Sequence, residues 1–373
     1  MIPVNEPLFD GNEKKYLNQC IDDGWISSEG PFVKEFEERF SSYLGRKYGV
    51  AVCNGTVALE TALFAAGITK GDEVIMPTFT IISCAMAALR LGATPVLVDA
   101  EPDTWNMDVT QIEEKISSRT KAIMPVHIYG HPVDMDPLME LAVKYDLKVI
   151  EDAAEVHGAL YKGKKVGGIG DVGSFSFYAN KIITTGEGGM IVTDDEETAE
   201  RARGYRNLCF KPGKRFYHTE LGENFRMTNL QAAVGVAQLE QIDRFIEIKR
   251  TNAQKYTDGL KGIRGIKTPT EKEWAKDVYW MYAIELSEEL GITAEQMSER
   301  LAEKGIATRP FFLGLHEQPV FHKMGLFIGE RYPVTERIAR QGLYLPSGHT
   351  LTEEQIALVC NAVRTILDGA KKE

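Results

Sequence analysis

Cysteine is scarce in this chain, and positive charge is in deficit. The five cysteines, Cys20, Cys53, Cys84, Cys209 and Cys360, are scattered and odd in number, with no CxxC pair. That argues against a disulfide framework and points to a reducing compartment, the cytoplasm. Lysine and arginine total 43 against 54 acidic residues, for a net charge of −11. Such a balance speaks against general nucleic-acid binding and against a basic membrane-surface protein. An anionic substrate must then be held by local donors rather than by the field of the whole protein. No apolar run approaches the roughly 20 residues of a membrane span. The opening, Met1-Ile2-Pro3-Val4-Asn5-Glu6-Pro7, lacks a basic stretch followed by an apolar core, so no signal peptide is expected. His127, His131 and His157 are not spaced like metal ligands, and no metal is expected. Internal repeats and low-complexity tracts are lacking too, and the tail 370–373 is expected to fray.

What is present suits an enzyme. A length of 373 residues, 43% of them hydrophobic, with 34 glycines, predicts a large domain with many tight turns plus a smaller one. Short apolar runs at 49–53, 73–76, 94–99, 122–126, 148–152, 173–177 and 189–193 read as strands covered on both faces. Helical stretches such as 57–66 and 137–145 lie between several of them. The expected fold is α/β, with a mostly parallel seven-stranded sheet between helices. The pattern changes after Thr228. Residues 232–255 read as one long helix that could bridge two units. A large domain over 1–245 and a smaller C-terminal α+β domain over 246–373 follow. The smaller one has strands expected near 278–286 and 307–312. Thr293 with Gln296, and Thr352 with Gln355, form capping boxes before its helices.

One lysine stands out. Between Asp171 and Glu187, Lys181 is the sole charged residue. An apolar setting lowers a lysine's pKa, because desolvation disfavours the ammonium. A neutral amine is what a Schiff-base lysine needs. Upstream, Val149-Ile150-Glu151-Asp152 reads as a buried strand ending in a carboxylate, where ligands of open α/β sheets bind. The pair suggests pyridoxal phosphate, with Lys181 on its aldehyde and Asp152 on its pyridinium nitrogen. Glu155 is within reach of the ring's phenolic oxygen. Asn54-Gly55-Thr56, at a strand-to-helix junction, has the make-up of a phosphate cup; by itself it would more often be an ordinary N-cap. Ser176 is a hydroxyl in a Phe-rich strand that wants a buried partner, and a phosphate oxygen would serve. Phe79 follows a strand and could stack on a planar ring. The basic stretch Lys211-Pro212-Gly213-Lys214-Arg215, with Arg226 after it, is either a solvated loop or a cap over a diphosphate.

Two glycine-rich matches fail on context. Gly168 to Gly173 fits G-x-G-x-x-G but precedes a strand instead of following one. Gly158 to Lys165 nearly fits a P-loop, but Lys165 occupies the Ser/Thr position. Both read as turns.

Taken together, these motifs resemble the DegT/DnrJ/EryC1/StrS sugar-nucleotide aminotransferases, members of the fold-type I pyridoxal phosphate enzymes. The carriers are Asn54-Gly55-Thr56, Pro77-Thr78-Phe79-Thr80, Glu151-Asp152-Ala153-Ala154-Glu155, Ser174-Phe175-Ser176-Phe177, Asn180-Lys181 ahead of Gly186-Glu187-Gly188-Gly189, and Arg226-Met227-Thr228-Asn229. They occur in family order along essentially the whole chain. The resemblance implies that Lys181 bonds the cofactor aldehyde, while Asp152, Glu155 and Phe79 hold its ring. Gly55, Thr56 and Ser176 would bind its phosphate. Asn229 would reach the phosphate in a neighbouring subunit, making a homodimer with shared sites the catalytic unit. Trp25, Ser27, Phe312 and His316, with Arg226, would line the sugar-nucleotide site.

The N-terminal and lysine segments are most similar to the GDP-perosamine synthase subgroup. That implies amino transfer from L-glutamate to C4 of GDP-4-keto-6-deoxymannose, for O-antigen. UDP- or dTDP-linked ketosugars are the alternative substrates. A sugar dehydratase of the same fold would carry histidine in place of Lys181. A non-catalytic sugar-nucleotide sensor would not need Lys181, Asp152 and Ser176 together.

Overall fold

The computed structural model describes residues 1–210, 213–214 and 216–370. Lys211, Pro212 and Arg215 of the basic stretch, and the tail 371–373, lie outside the described residues.

The central sheet has seven strands: β1 (Tyr48–Val52), β2 (Glu73–Pro77), β3 (Thr94–Val98), β4 (Thr120–Ile123), β5 (Lys148–Asp152), β6 (Val172–Ser176) and β7 (Gly189–Thr193). Their order is β1-β7-β6-β5-β4-β2-β3. Only β7 runs antiparallel to its neighbours. The expected runs match these strands to within a few residues. Strands β2, β6 and β7 are buried along their whole length, as continuous apolar runs between two helical layers must be.

Strand geometry then places the chemistry. The carboxyl ends of β1, β2, β5 and β6 lead to Asn54, Thr78, Asp152 and Ser176 along one edge. In register, Gly189 pairs with both Val52 and Ser176. The start of helix Gly55–Ala65 is thereby laid against Ser176. A Cβ at Gly55 would sit 2.6 Å from the Ser176 Cβ, so only glycine fits there. The Asn54 side chain accepts from the Val57 N–H at 3.0 Å and caps this helix.

The expected long helix over 232–255 is two helices, Asn229–Leu239 and Ile242–Leu260. The first begins with a capping box between Thr228 and Gln231 that was not foreseen. No glycine or proline marks the break. At Glu240 the carboxylate is drawn into bonds from Asn12 at 2.7 Å and Tyr16 at 2.8 Å. The first helix is buried nearly all round, whereas the second carries one apolar face. Tertiary contacts override local propensity here.

The expected boundary between 245 and 246 falls inside helix Ile242–Leu260. Ile242, Phe245 and Ile246 join the main core, while Ala253, Tyr256 and Leu260 join a second core. That second core lies against a four-stranded antiparallel sheet in the order Ile266–Lys267, Tyr282–Leu286, Gly342–Leu345, Arg309–Pro310. The run expected at 307–312 shrinks to an edge strand of two residues, one of them Pro310, which has no N–H to give a ladder. The first residues pair with this smaller unit: Ile2 donates to the Gly305 carbonyl at 2.7 Å, and Ser347 donates to the Val4 carbonyl at 2.7 Å. The capping boxes at Thr293 and Gln296, and at Thr352 and Gln355, are formed.

Residues 277–281 join the two cores. Val278 donates to the Gly130 carbonyl and Met281 to that of Tyr129. A Cβ at Gly130 would sit 2.6 Å from the Tyr279 nitrogen, and its φ is +120°. Asp277 is buried here beside Glu271, with its Oδ1 accepting from the Tyr279 N–H at 2.6 Å. Burial pushes its carboxyl up to about 8, Glu271 adds to the rise, and Arg250 opposes it. The folded state thus keeps a proton that the unfolded chain releases near the usual carboxylate value. Stability contributed by this group falls as pH rises from about 4 to about 8 and is level above that. At ~1.4 kcal/mol per unit, the expected loss is a few kcal/mol. Asp277→Asn, which imitates the protonated acid, should flatten that decline. Urea midpoints at pH 5 and pH 8.5 measure it; an equal fall in both proteins would show that Asp277 is ionised in the fold.

Candidate active site

Lys181 follows β6 and a tight turn, with its N–H bonded to the Tyr178 carbonyl at 2.9 Å. Its ammonium lies 3.9 Å from Glu155 Oε1 and 3.9 Å from the centre of the Trp280 ring. Burial lowers its pKa, opposed by Glu155 and then Asp152. Asp152 ends β5, buried. Its Oδ1 accepts from the Ala154 N–H at 3.1 Å and its Oδ2 from the Cys84 thiol at 3.2 Å. Desolvation raises its pKa; the Cys84 bond and the charge of Lys181 pull the other way. Glu155 accepts from the Tyr129 N–H at 2.8 Å. Desolvation pushes it up to about 7, with Lys181 opposing. A buried lysine and two strained carboxylates therefore share one place, a mark of functional sites.

Tyr129 links this trio to the aromatic wall. Its ring lies 6.1 Å from that of Phe79 and 5.8 Å, stacked, from that of Phe312. Phe79 itself is fully buried. A second link runs through Ser83 and Cys84. The Ser83 hydroxyl is 2.9 Å from that of Thr56, while Cys84 reaches Asp152. The Asn54-Gly55-Thr56 turn and the carboxylate are thus braced by adjacent residues. Sequence reading saw Cys84 only as a stray thiol and missed Tyr129 and Trp280. Tyr129 has φ +55°, a conformation that carries no sequence signature outside glycine.

The substrate expectations divide. Phe312 stands beside Phe79. Arg226 pairs through its backbone with Val52, next to the Asn54-Gly55-Thr56 turn, and its guanidinium donates to Asn207 at 2.6 Å. His316 is buried rather than lining an opening. Its Nδ1 lies 2.8 Å from the Thr78 hydroxyl and its Nε2 3.4 Å from Glu336, so it fixes the segment that carries Phe79. Trp25 and Ser27 lie on an exposed loop, with Trp25 50% exposed. Asn229 is only 1% exposed. Its amide donates to the Trp25 carbonyl at 2.7 Å and accepts from the Phe32 N–H at 2.8 Å. Its side chain holds this loop of its own chain. Of the basic stretch, Gly213 and Lys214 are described and exposed.

Both glycine-rich matches are turns. Gly167, Ile169 and Gly170 donate their N–H groups to the buried Glu151 carboxylate at 2.6, 2.7 and 2.6 Å. That nest is filled by the protein's own anion. His127 accepts from the Val133 N–H at Nδ1 and so donates from Nε2 to Glu151 at 3.2 Å. The stretch 158–165 is a hairpin of Leu160–Tyr161 and Lys164–Lys165. Among the described residues, no group of three or more His, Cys, Asp or Glu is arranged to hold a metal, and no helix is long and apolar enough to cross a membrane.

The residues fit pyridoxal phosphate. The cradle at Gly55 and Ser176 would be filled by a single Cβ, and the buried carboxylates match a pyridinium and a phenolic oxygen. This fold and site define a pyridoxal phosphate-dependent aminotransferase of fold type I. More narrowly, the chain belongs to the DegT/DnrJ/EryC1/StrS aminotransferase family, whose profile matches residues 7–364. It is 43% identical to the GDP-perosamine synthase of Escherichia coli O157:H7 over 365 residues, 97% of each chain. To that of Caulobacter vibrioides it is 44% identical over 367 residues, 98% of each. The crystal structure of S. venezuelae DesV in complex with a ketimine intermediate superposes with a TM-score of 0.90 at 34% identity, covering 96% of this chain and 94% of that one.

Proposed function

We propose that this enzyme moves the amino group of L-glutamate to C4 of GDP-4-keto-6-deoxymannose, forming GDP-perosamine for a surface polysaccharide such as O-antigen, in the cytoplasm. The observation that carries the substrate is the 43–44% identity to GDP-perosamine synthases over nearly the full length of both chains.

When bound, pyridoxal phosphate supplies the electron sink that lets a proton leave the amino acid's α-carbon. The chain does the rest. Gly55 and Thr56, at the start of helix Gly55–Ala65, and Ser176, at the end of β6 beside them, would hold the phosphate through N–H groups and hydroxyls. Asp152 would keep the ring nitrogen protonated; a cation beside it would offset the cost of burying its charge. Glu155 would meet the ring oxygen and Phe79 the ring. Lys181 would bond the cofactor carbon, and its amine, when free, would carry the proton as general base and then acid. Burial lowers its pKa, which favours the neutral amine.

Arg226 anchors the diphosphate, since a guanidinium gives two parallel bonds to phosphate oxygens. Trp25, Ser27 and Phe312 line the sugar-nucleotide side, with His316 acting through Thr78. The two-unit division at 245 and 246 belongs to this proposal. So does a homodimer whose shared edge includes the loop held by Asn229; the exposed Ile21, Trp25 and Ile26 around it support an interface.

The test is turnover with L-glutamate and a panel of GDP-, UDP- and dTDP-linked 4-ketosugars, with the product carbon assigned by NMR. The expected result is a GDP sugar aminated at C4. Arg226→Ala should raise the KM for that sugar nucleotide and spare the half-reaction with glutamate. A clear preference for a UDP or dTDP sugar would overturn the nucleotide and leave the amino transfer standing.

A further inference from the structure

Lys181 has few neighbours that can hold its amine. The Glu155 carboxylate is at 3.9 Å, too long for a hydrogen bond, and the face of Trp280 is at the same distance. Trp280 is distant in sequence, in the segment that joins the two cores, but packs in the main core, and several contacts fix its position. Its indole N–H donates to the carbonyl of Asn180, the residue before Lys181, at 2.7 Å. Its own carbonyl accepts from the buried Lys249 ammonium at 3.0 Å. Lys249 also donates to the Ser347 carbonyl. Tyr279, just before it, is held at φ +47°, an uncommon conformation for a non-glycine residue. The Tyr129 ring stacks at 6.3 Å. One bond at the indole and one at the backbone carbonyl thus hold this residue against the lysine.

We infer that Trp280 is a positioning residue that docks the free Lys181 amine and keeps it aimed while it takes up and gives back a proton. A lysine that shuttles must be held in both charge states. A close carboxylate would bind the ammonium and let go of the amine. The ring face attracts the ammonium through its quadrupole and still packs against the neutral amine, with no hydrogen bond to break. The inference rests on the aminotransferase reading only for its kinetic arm.

The experiment compares Trp280→Leu and Trp280→Phe with the parent protein at full length. The first measurement is the pH midpoint for acylation of Lys181 in the cofactor-free protein, read by mass spectrometry. Trp280→Leu removes the ring, so the midpoint should fall by about one pH unit, the size of a desolvated cation–π contact; Trp280→Phe should fall between. The second is the single-turnover half-reaction of the holoenzyme with L-glutamate. It should slow by about tenfold in Trp280→Leu, with the glutamate concentration dependence unchanged. An unchanged midpoint, or a slowed half-reaction without a shifted midpoint, overturns the inference. So does a shifted midpoint with an unslowed half-reaction. If Trp280→Leu does not fold, Trp280→Phe carries both measurements. The parent's own half-reaction reports separately on the aminotransferase reading.

Discussion

Lys181→Ala should abolish amino transfer while leaving the fold intact. The expected fall in the glutamate half-reaction is ~10³-fold or more, because both the cofactor's anchor and the proton carrier are lost, and acid–base groups alone contribute ~10²–10⁴-fold. Stability should change little. The side chain pays for its burial with two contacts at 3.9 Å and no hydrogen bond, so its loss removes a desolvated charge along with them. Near-parental turnover in this variant without added amine would remove Lys181 from the chemistry; circular dichroism and a thermal melt guard against misfolding. The same variant tests the dimer. Mixed with Asn229→Ala subunits, which lose the bonds to Trp25 and Phe32, it should regain activity if sites are shared, because one site of each mixed dimer escapes both lesions. No recovery after proven subunit exchange between inactive parents would place each site within one subunit.

Asp152→Asn separates catalysis from stability. The amide keeps the bond from Ala154 and has nearly the same shape, but carries no charge to hold a ring proton. The half-reaction with glutamate should fall by roughly 10²-fold or more. Burial raises the Asp152 pKa in the cofactor-free protein, so ionisation there opposes folding at neutral pH. The cofactor-free variant should therefore melt no lower than its parent. An unchanged half-reaction rate would show that Asp152 does not face the ring.

Much of this was legible in the residues. Seven apolar runs of strand length, bare of alternation, can be satisfied only by a sheet covered on both faces, and all seven lie in one sheet. Lys181 was readable because an uncharged stretch with one lysine leaves the ammonium poorly solvated wherever the segment packs. Asp152 was readable because a carboxylate ending an apolar strand must emerge at the strand's carboxyl edge. Asn229 and His316 were less readable. Their neighbourhood in sequence says nothing of whether a polar side chain points into an opening or back into its own chain, and both turned inward.

By itself, then, the order of residues determined the layers, the strand that carries Asp152 and the loop that carries Lys181, since these depend on local periodicity and on where charge is absent. Only the tertiary structure decided what surrounds the amine. Trp280 lies 99 positions beyond Lys181, and Cys84 lies 68 before Asp152. The break at Glu240 depends on Asn12 and Tyr16, far away along the chain. Contacts of that span follow from how distant segments pack together, and no local pattern encodes them, because their free energy is gained only once the intervening chain has folded.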